Sequence, residues 1–101
     1  MTTWNRVQGD TDDTIDVTVL GISDATGASA WEAHVWATGG SSTTLTATAT
    51  SATVVRVSLG SWITSATAGS YNLELQATIS SKPRTWPEGT PDQIIVRAQG
   101  V

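Results

Sequence analysis

The chain has no cysteine and no phenylalanine, and it has one histidine, one tyrosine and three prolines in 101 residues. Without cysteine there is neither a disulfide framework nor a thiolate metal site. With His34 as the lone imidazole, a histidine metal cluster within the chain is excluded too. Charge is also scarce: Asp, Glu, Lys and Arg together make 14% of the residues, with nine acidic against five basic and a net charge of -4. An acidic surface is not drawn to phosphate backbones or anionic lipid, so neither nucleic acid nor membrane is expected as a partner. The longest apolar segments, such as Val17-Thr18-Val19-Leu20-Gly21-Ile22, fall far short of the roughly 20 residues of a membrane helix. Met1-Thr2-Thr3-Trp4-Asn5-Arg6 carries no apolar signal-peptide core. The expectation is a soluble chain made in a cytoplasm.

What fills the space left by charge is threonine and serine. Threonine's branched Cβ fits a pleated surface, so this composition favours strands over helices. The alternation of apolar and polar residues agrees. Tyr71, Leu73, Leu75, Ala77 and Ile79 alternate with Asn72, Glu74, Gln76 and Thr78, the clearest strand in the chain. It opens after Gly69 and closes at Ser80-Ser81-Lys82-Pro83. Shorter strands are expected over Thr14 to Leu20, Ala30 to Thr38, Thr43 to Thr50, Val54 to Leu59 and Gln93 to Ala98, with Arg84-Thr85-Trp86 beginning a return strand. Gly39-Gly40-Ser41-Ser42 reads as a hairpin-type turn, because adjacent glycines make positive φ inexpensive. Gly60 to Ala68 lacks alternation and holds Trp62 and Ile63, which suits a short helical turn near residues 60–66 plugging one end of the core.

The expected fold is therefore all-β: a single antiparallel two-sheet β-sandwich of about seven short strands. Residues 1–13 read as an N-terminal arm anchored through Trp4 and Val7, and residues 14–101 as the sandwich domain. No repeat of solenoid or propeller length is present.

Catalytic chemistry finds little to work with. A Ser-His-Asp triad would have to use His34, and no serine sits in a Gly-x-Ser-x-Gly elbow. Asp10, Asp12, Asp13 and Asp16 offer hard oxygen ligands for calcium, but the stretch lacks the glycine and terminal glutamate of an EF-hand and reads better as a solvated acidic turn. Glu32 and Glu74 fall on wet strand faces without a flanking motif, which suits solubility better than a glycosidase pair. Gly39-Gly40 is followed by neither lysine nor helix, so it is no phosphate loop. No catalytic residue, no metal and no cofactor are expected, and the chain is not expected to be an enzyme.

The aromatics say more. There are five tryptophans, and alternation places Trp36, with Glu32 and His34, on the face opposite Trp31, Ala33 and Val35. An outward tryptophan marks a protein interface or a sugar-stacking platform. The interface candidates are Trp4, Val7, His34, Trp36 and Trp86, with Trp36 and Trp86 as stacking platforms if the ligand is a glycan.

Gly9-Asp10-Thr11 followed by Ile15-Asp16-Val17-Thr18-Val19, the strand from Trp31 to Thr38, Val55-Arg56-Val57-Ser58-Leu59, the helical Ser61-Trp62-Ile63-Thr64-Ser65-Ala66 and Gly69-Ser70-Tyr71-Asn72-Leu73-Glu74-Leu75-Gln76 form a pattern. Lys82-Pro83-Arg84-Thr85-Trp86 and Ile94-Ile95-Val96 complete it. It resembles the small Ig-like β-sandwich modules of tailed-bacteriophage virions, such as the N-terminal domains of baseplate upper proteins and related tail or head accessory proteins. The Gly-x-Tyr-x-Leu-x-Leu element carries most of the likeness. The loop Trp86 to Gly89 departs from it by lengthening the last connection, and the absence of an attached receptor-binding or enzymatic domain favours an accessory role. The resemblance implies a non-enzymatic virion protein of the tail tip or baseplate, assembling with other virion proteins and as a homo-oligomer. A capsid decoration protein is the alternative, and a carbohydrate-binding module for host surface glycan the alternative of another class.

Overall fold

The computed structural model describes residues 2–9, 14–19, 25–79, 81–87 and 91–97. Its elements run β1 (Thr3–Val7), β2 (Thr14–Thr18), a 3-10 turn at Ala25–Gly27, β3 (Ser29–Trp36), β4 (Thr43–Ala49), β5 (Val54–Ser58), α1 (Gly60–Ser65), β6 (Gly69–Ile79), β7 (Lys82–Trp86) and β8 (Asp92–Arg97). The fold is all-β, with the helical turn where the loss of alternation places it.

Alternation decides which side of each strand is dry. In β2, Ile15 and Val17 are buried while Thr14, Asp16 and Thr18 are exposed. In β5 and β6 the same rule buries Val55, Val57, Leu73, Leu75 and Ala77. These side chains share one core with Val35, Leu45, Leu59, Ile63, Ile94 and Val96. A helix of six residues is too short to hold itself together in water. α1 is held instead by burial of Leu59 and Ile63, one turn apart and joined by the Ile63 N–H donating to Leu59 O at 2.7 Å. It stops where Ala66 turns extended at φ -64 and ψ 136.

Where the chain passes from α1 into β6, Trp62 packs edge-on against Tyr71, ring centroids 5.0 Å apart at 87°. The Tyr71 hydroxyl donates back to Thr67 O at 2.7 Å, fixing the corner. Tyr71→Phe keeps the ring contact and removes this bond. A loss of about 0.5–1.5 kcal/mol is expected, read as a lower urea midpoint at unchanged slope.

The hydrogen-bonded order is β1-β8-β6-β3-β4-β5-β2, with β7 also paired to β6, eight strands among the described residues. β6 is the spine. At roughly 3.3 Å per residue its 11 residues span about 36 Å, most of the 44 Å long dimension of the molecule. β3 lies along one side, while the other side pairs Gly69–Leu73 with β8 and Leu75–Ile79 with β7. β4 changes partner midway: Thr43 to Thr46 pair with β3, and Ala47 to Ala49 pair with β5. The ladder is thus continuous through β4, and the sheet is nearly closed and barrel-like. Arg6 on β1 reaches across the gap, its guanidinium donating to Thr14 O at the start of β2 at 3.3 Å.

Two features differ from the expectation. Thr3–Val7, read as part of an arm, is a strand pairing in parallel with β8 from Thr3↔Gln93 to Val7↔Arg97. The edge of β8 offers unpaired amides and carbonyls that β1 satisfies, and both ends are fastened: Gln93 N–H donates to Thr2 O and Gln8 N–H to Arg97 O. The buried Asp92 carboxylate adds a bond from Thr2 N–H at 2.8 Å. Second, the β3–β6 register shifts between Ser29 and Glu32, with Ala30 at φ 57. The shift is a bulge, beside which Trp31 packs against the core margin.

Candidate functional site

Because Ala33 and Val35 point into the core, Glu32, His34 and Trp36 point out, and the register continues that face across the sheet. Gln76, Glu74 and Asn72 of β6 lie opposite Glu32, His34 and Trp36 in turn. Thr46 and Thr44 of β4 flank Glu32 and His34 on the other side. Beyond Asn72 comes Gln93 of β8, and beyond Gln93 comes Thr3 of β1. Four strands thereby set an indole, two carboxamides and a hydroxyl in one transverse row, neighbours about 4.8 Å apart.

This outer face differs from that of β2 and β5. There Thr14, Asp16, Thr18, Arg56 and Ser58 are exposed. On the first face Glu32, His34, Trp36, Asn72, Glu74, Gln93 and Ile95 are each half-buried, while Thr3, Thr44, Thr46 and Gln76 are exposed. His34 Nε2 stands 3.5 Å from Glu32 Oε2, too far for a good hydrogen bond, and it has no hydrogen-bond partner among the described residues. The face is a crowded polar surface around one tryptophan.

The interface candidates separate. Trp36 and His34 share the outer face, and Val7, opposite Arg97, is half-buried at its far edge. Trp4 takes the inward parity of its partner Ile94 and packs against the core. Trp86 is corrected outright: at 4% exposure it is a core residue, unable to serve as a docking or stacking surface. Its register partner is the buried Leu75, which fixes its parity inward. Trp31 lies against it at 5.1 Å between centroids and 35° between planes, held by its Nε1–H donating to Ala25 O at 2.9 Å. The Arg84 guanidinium carbon stands 5.1 Å from the Trp86 centroid. Trp36 is left as the one stacking platform of the pair.

Of the acidic group considered for calcium, Asp10, Asp12 and Asp13 lie outside the described residues. Asp16 is engaged by Arg56, whose Nε donates to Oδ1 at 2.9 Å and whose Nη2 donates to Oδ2 at 3.4 Å. No group of three or more His, Asp or Glu among the described residues is placed to hold a metal. No helix among them is long and apolar enough to cross a membrane.

The Arg56 hydrogen bond holds the Asp16 carboxyl below the usual aspartate range, and the Arg56 charge acts in the same direction. A depressed folded-state value means any stabilisation is present above the unfolded-state pKa and lost as pH falls through the folded one. Both side chains are half exposed, so the contribution to stability is small. The expected outcome of Arg56→Gln is therefore a rise in the Asp16 titration midpoint, followed by carboxyl NMR shifts, with little change in unfolding at neutral pH.

Asn72, Glu74 and Gln93 acquire their place beside Trp36 only through pairing. Their outward parity is legible in β6 and β8, but Asn72 and Glu74 pair with Trp36 and His34 of β3, distant in the chain, and Gln93 joins the row only through Asn72. No protein-family model, curated protein or solved structure matches the chain.

Proposed function

We propose that the chain is a non-enzymatic structural protein of a tailed-bacteriophage virion, a minor tail-tip or baseplate component that docks on neighbouring virion proteins through the outer face of β3, β6 and β8. The observation that carries the reading is Trp36, half-buried in that face among polar side chains rather than in the core. Indole is costly to leave against water and is enriched at the centres of protein interfaces.

The finer architecture we propose is the Ig-type two-sheet sandwich, with β1, β8, β6 and β3 in one layer, β5 and β2 in the other, and β4 crossing between them. The ladder order supports it, since the second, third, fifth and sixth strands pair as B with E and C with F in that topology. The Tyr71 hydroxyl bond to Thr67 O supports it too, being placed like the tyrosine corner at the start of the F strand. The described residues that carry the likeness to phage modules fall mainly on β2, β3, β5, α1, β6, β7 and β8.

Trp36→Ala in the phage tests the function. The variant protein is expected to keep its stability within about 1 kcal/mol, because the side chain lies outside the core. Its abundance in purified particles, by quantitative mass spectrometry, is expected to fall at least tenfold, the effect of losing a central tryptophan. Unchanged incorporation defeats the docking reading. Gold labelling of the assembled particle separates tail tip from capsid surface.

A further inference from the structure

We infer that the Trp36 face receives an arginine from a basic segment of its protein partner, the guanidinium lying on the indole and turned toward Glu74. The inference rests on the docking reading above and names the partner's chemistry. Over the outward positions of β3 and the facing half of β6 the charged groups are Glu32 and Glu74, with His34 between them. Lys and Arg are absent from these positions. The nearest outward guanidinium along the face is Arg97, four residues beyond Gln93 on β8, roughly 13 Å at the rise of a strand. The ion pair of the other face, Asp16 with Arg56, cancels itself. An acidic patch centred on an aromatic ring is complementary to a cation.

The register supplies the geometry. Asn72 lies directly opposite Trp36, and Glu74 is its diagonal neighbour, with Cα atoms about 7–8 Å apart. A planar guanidinium on the ring has a carboxylate at its edge and a carboxamide oxygen beside it. Its five fixed donors use such an arrangement better than an ammonium does. The protein already builds the same contact elsewhere, with Arg84 over Trp86. A second copy is not the source, since Arg6, Arg56, Arg84 and Arg97 are each engaged within the chain.

The experiment is an NMR amide titration of the whole chain with acetyl-Gly-Arg-Gly-amide, with acetyl-Gly-Glu-Gly-amide and chitotetraose as comparison probes. Saturable shifts at the Trp36 indole, Asn72 and Glu74 with the arginine peptide alone are the expected result. Glu74→Gln is expected to weaken binding about fivefold, the scale of one exposed charge contact, while Asp16→Asn on the opposite face leaves it unchanged. Shifts that do not saturate, or that spread equally over β2 and β5, overturn the inference. So does chitotetraose moving the Trp36 face when the arginine peptide does not, which would make the face a sugar platform. If Trp36→Ala abolishes incorporation while no arginine peptide binds, the docking reading survives and the arginine assignment falls. Normal incorporation of Trp36→Ala with saturable arginine binding defeats the docking reading instead.

Discussion

Replacing Trp86 with alanine is expected to cost about 3–5 kcal/mol, the range for deleting a buried tryptophan. A domain of this size has roughly 5–15 kcal/mol in total, so the variant is left close to unfolding at ambient temperature. Trp86 faces inward because its register partner Leu75 does. At 4% exposure the indole gives nearly its whole apolar surface to the core. Its loss opens a void against Leu75 and strips Trp31 of its ring partner at 5.1 Å. Arg84 loses the face it covers. Urea unfolding followed by far-UV circular dichroism measures the effect. A midpoint near wild type would show that the β6–β7 end of the core is not packed as described. The contrast with Trp36→Ala is the sharper result, since two tryptophans treated alike from sequence are expected to differ by several kcal/mol in stability and in the opposite order for docking.

Leu75→Ala is expected to cost about 2–5 kcal/mol. Leu75 is 1% exposed on the central strand, opposite Ala33 on one side and Trp86 on the other. Ala33 is too small to close over the void, so the upper half of the range is expected. Each kcal/mol lowers the melting temperature by about 4–8 °C at this chain length. Because Leu75 and Trp86 are register partners, their joint replacement should cost less than the sum of the two. Strict additivity in that double-mutant cycle would argue against their contact.

The strands that were plain in the sequence are those with one dry face and one wet one. Ile15, Val17, Val55, Val57, Leu73 and Leu75 each separate from polar neighbours by one position, and each is buried. β1 escaped because Thr-Trp-Asn-Arg-Val puts Arg6 at an inward parity, across from Val96, where alternation expects an apolar residue. Its guanidinium turns instead to Thr14 O. The inward direction of Trp86 is not legible in the sequence, because Pro83 and Arg84 break the pattern around it and only its pairing with Leu75 fixes which way it points. The outward direction of Trp36 is legible because β3 alternates cleanly from Glu32 onward. The bulge lies just before it, with Ala30 at φ 57, and no glycine or asparagine at that position announces it. The row from Trp36 through Asn72 to Gln93 was not legible as a row, since it joins strands by hydrogen bonds between distant parts of the chain.

The parallel pairing of β1 with β8 bears on how the molecule carries load. The chain reaches β1 at Thr3 and leaves β8 at Arg97, at opposite ends of a ladder whose register runs Thr3↔Gln93 to Val7↔Arg97. Tension drawn through the chain on either side slides the two strands past each other along their length. The inter-strand bonds, together with those from Thr2 to Asp92 and from Gln8 to Arg97, then resist as a set. An antiparallel pair pulled from its adjoining ends would peel open one bond at a time. Against such tension the five residues of each strand would act as a shear clamp.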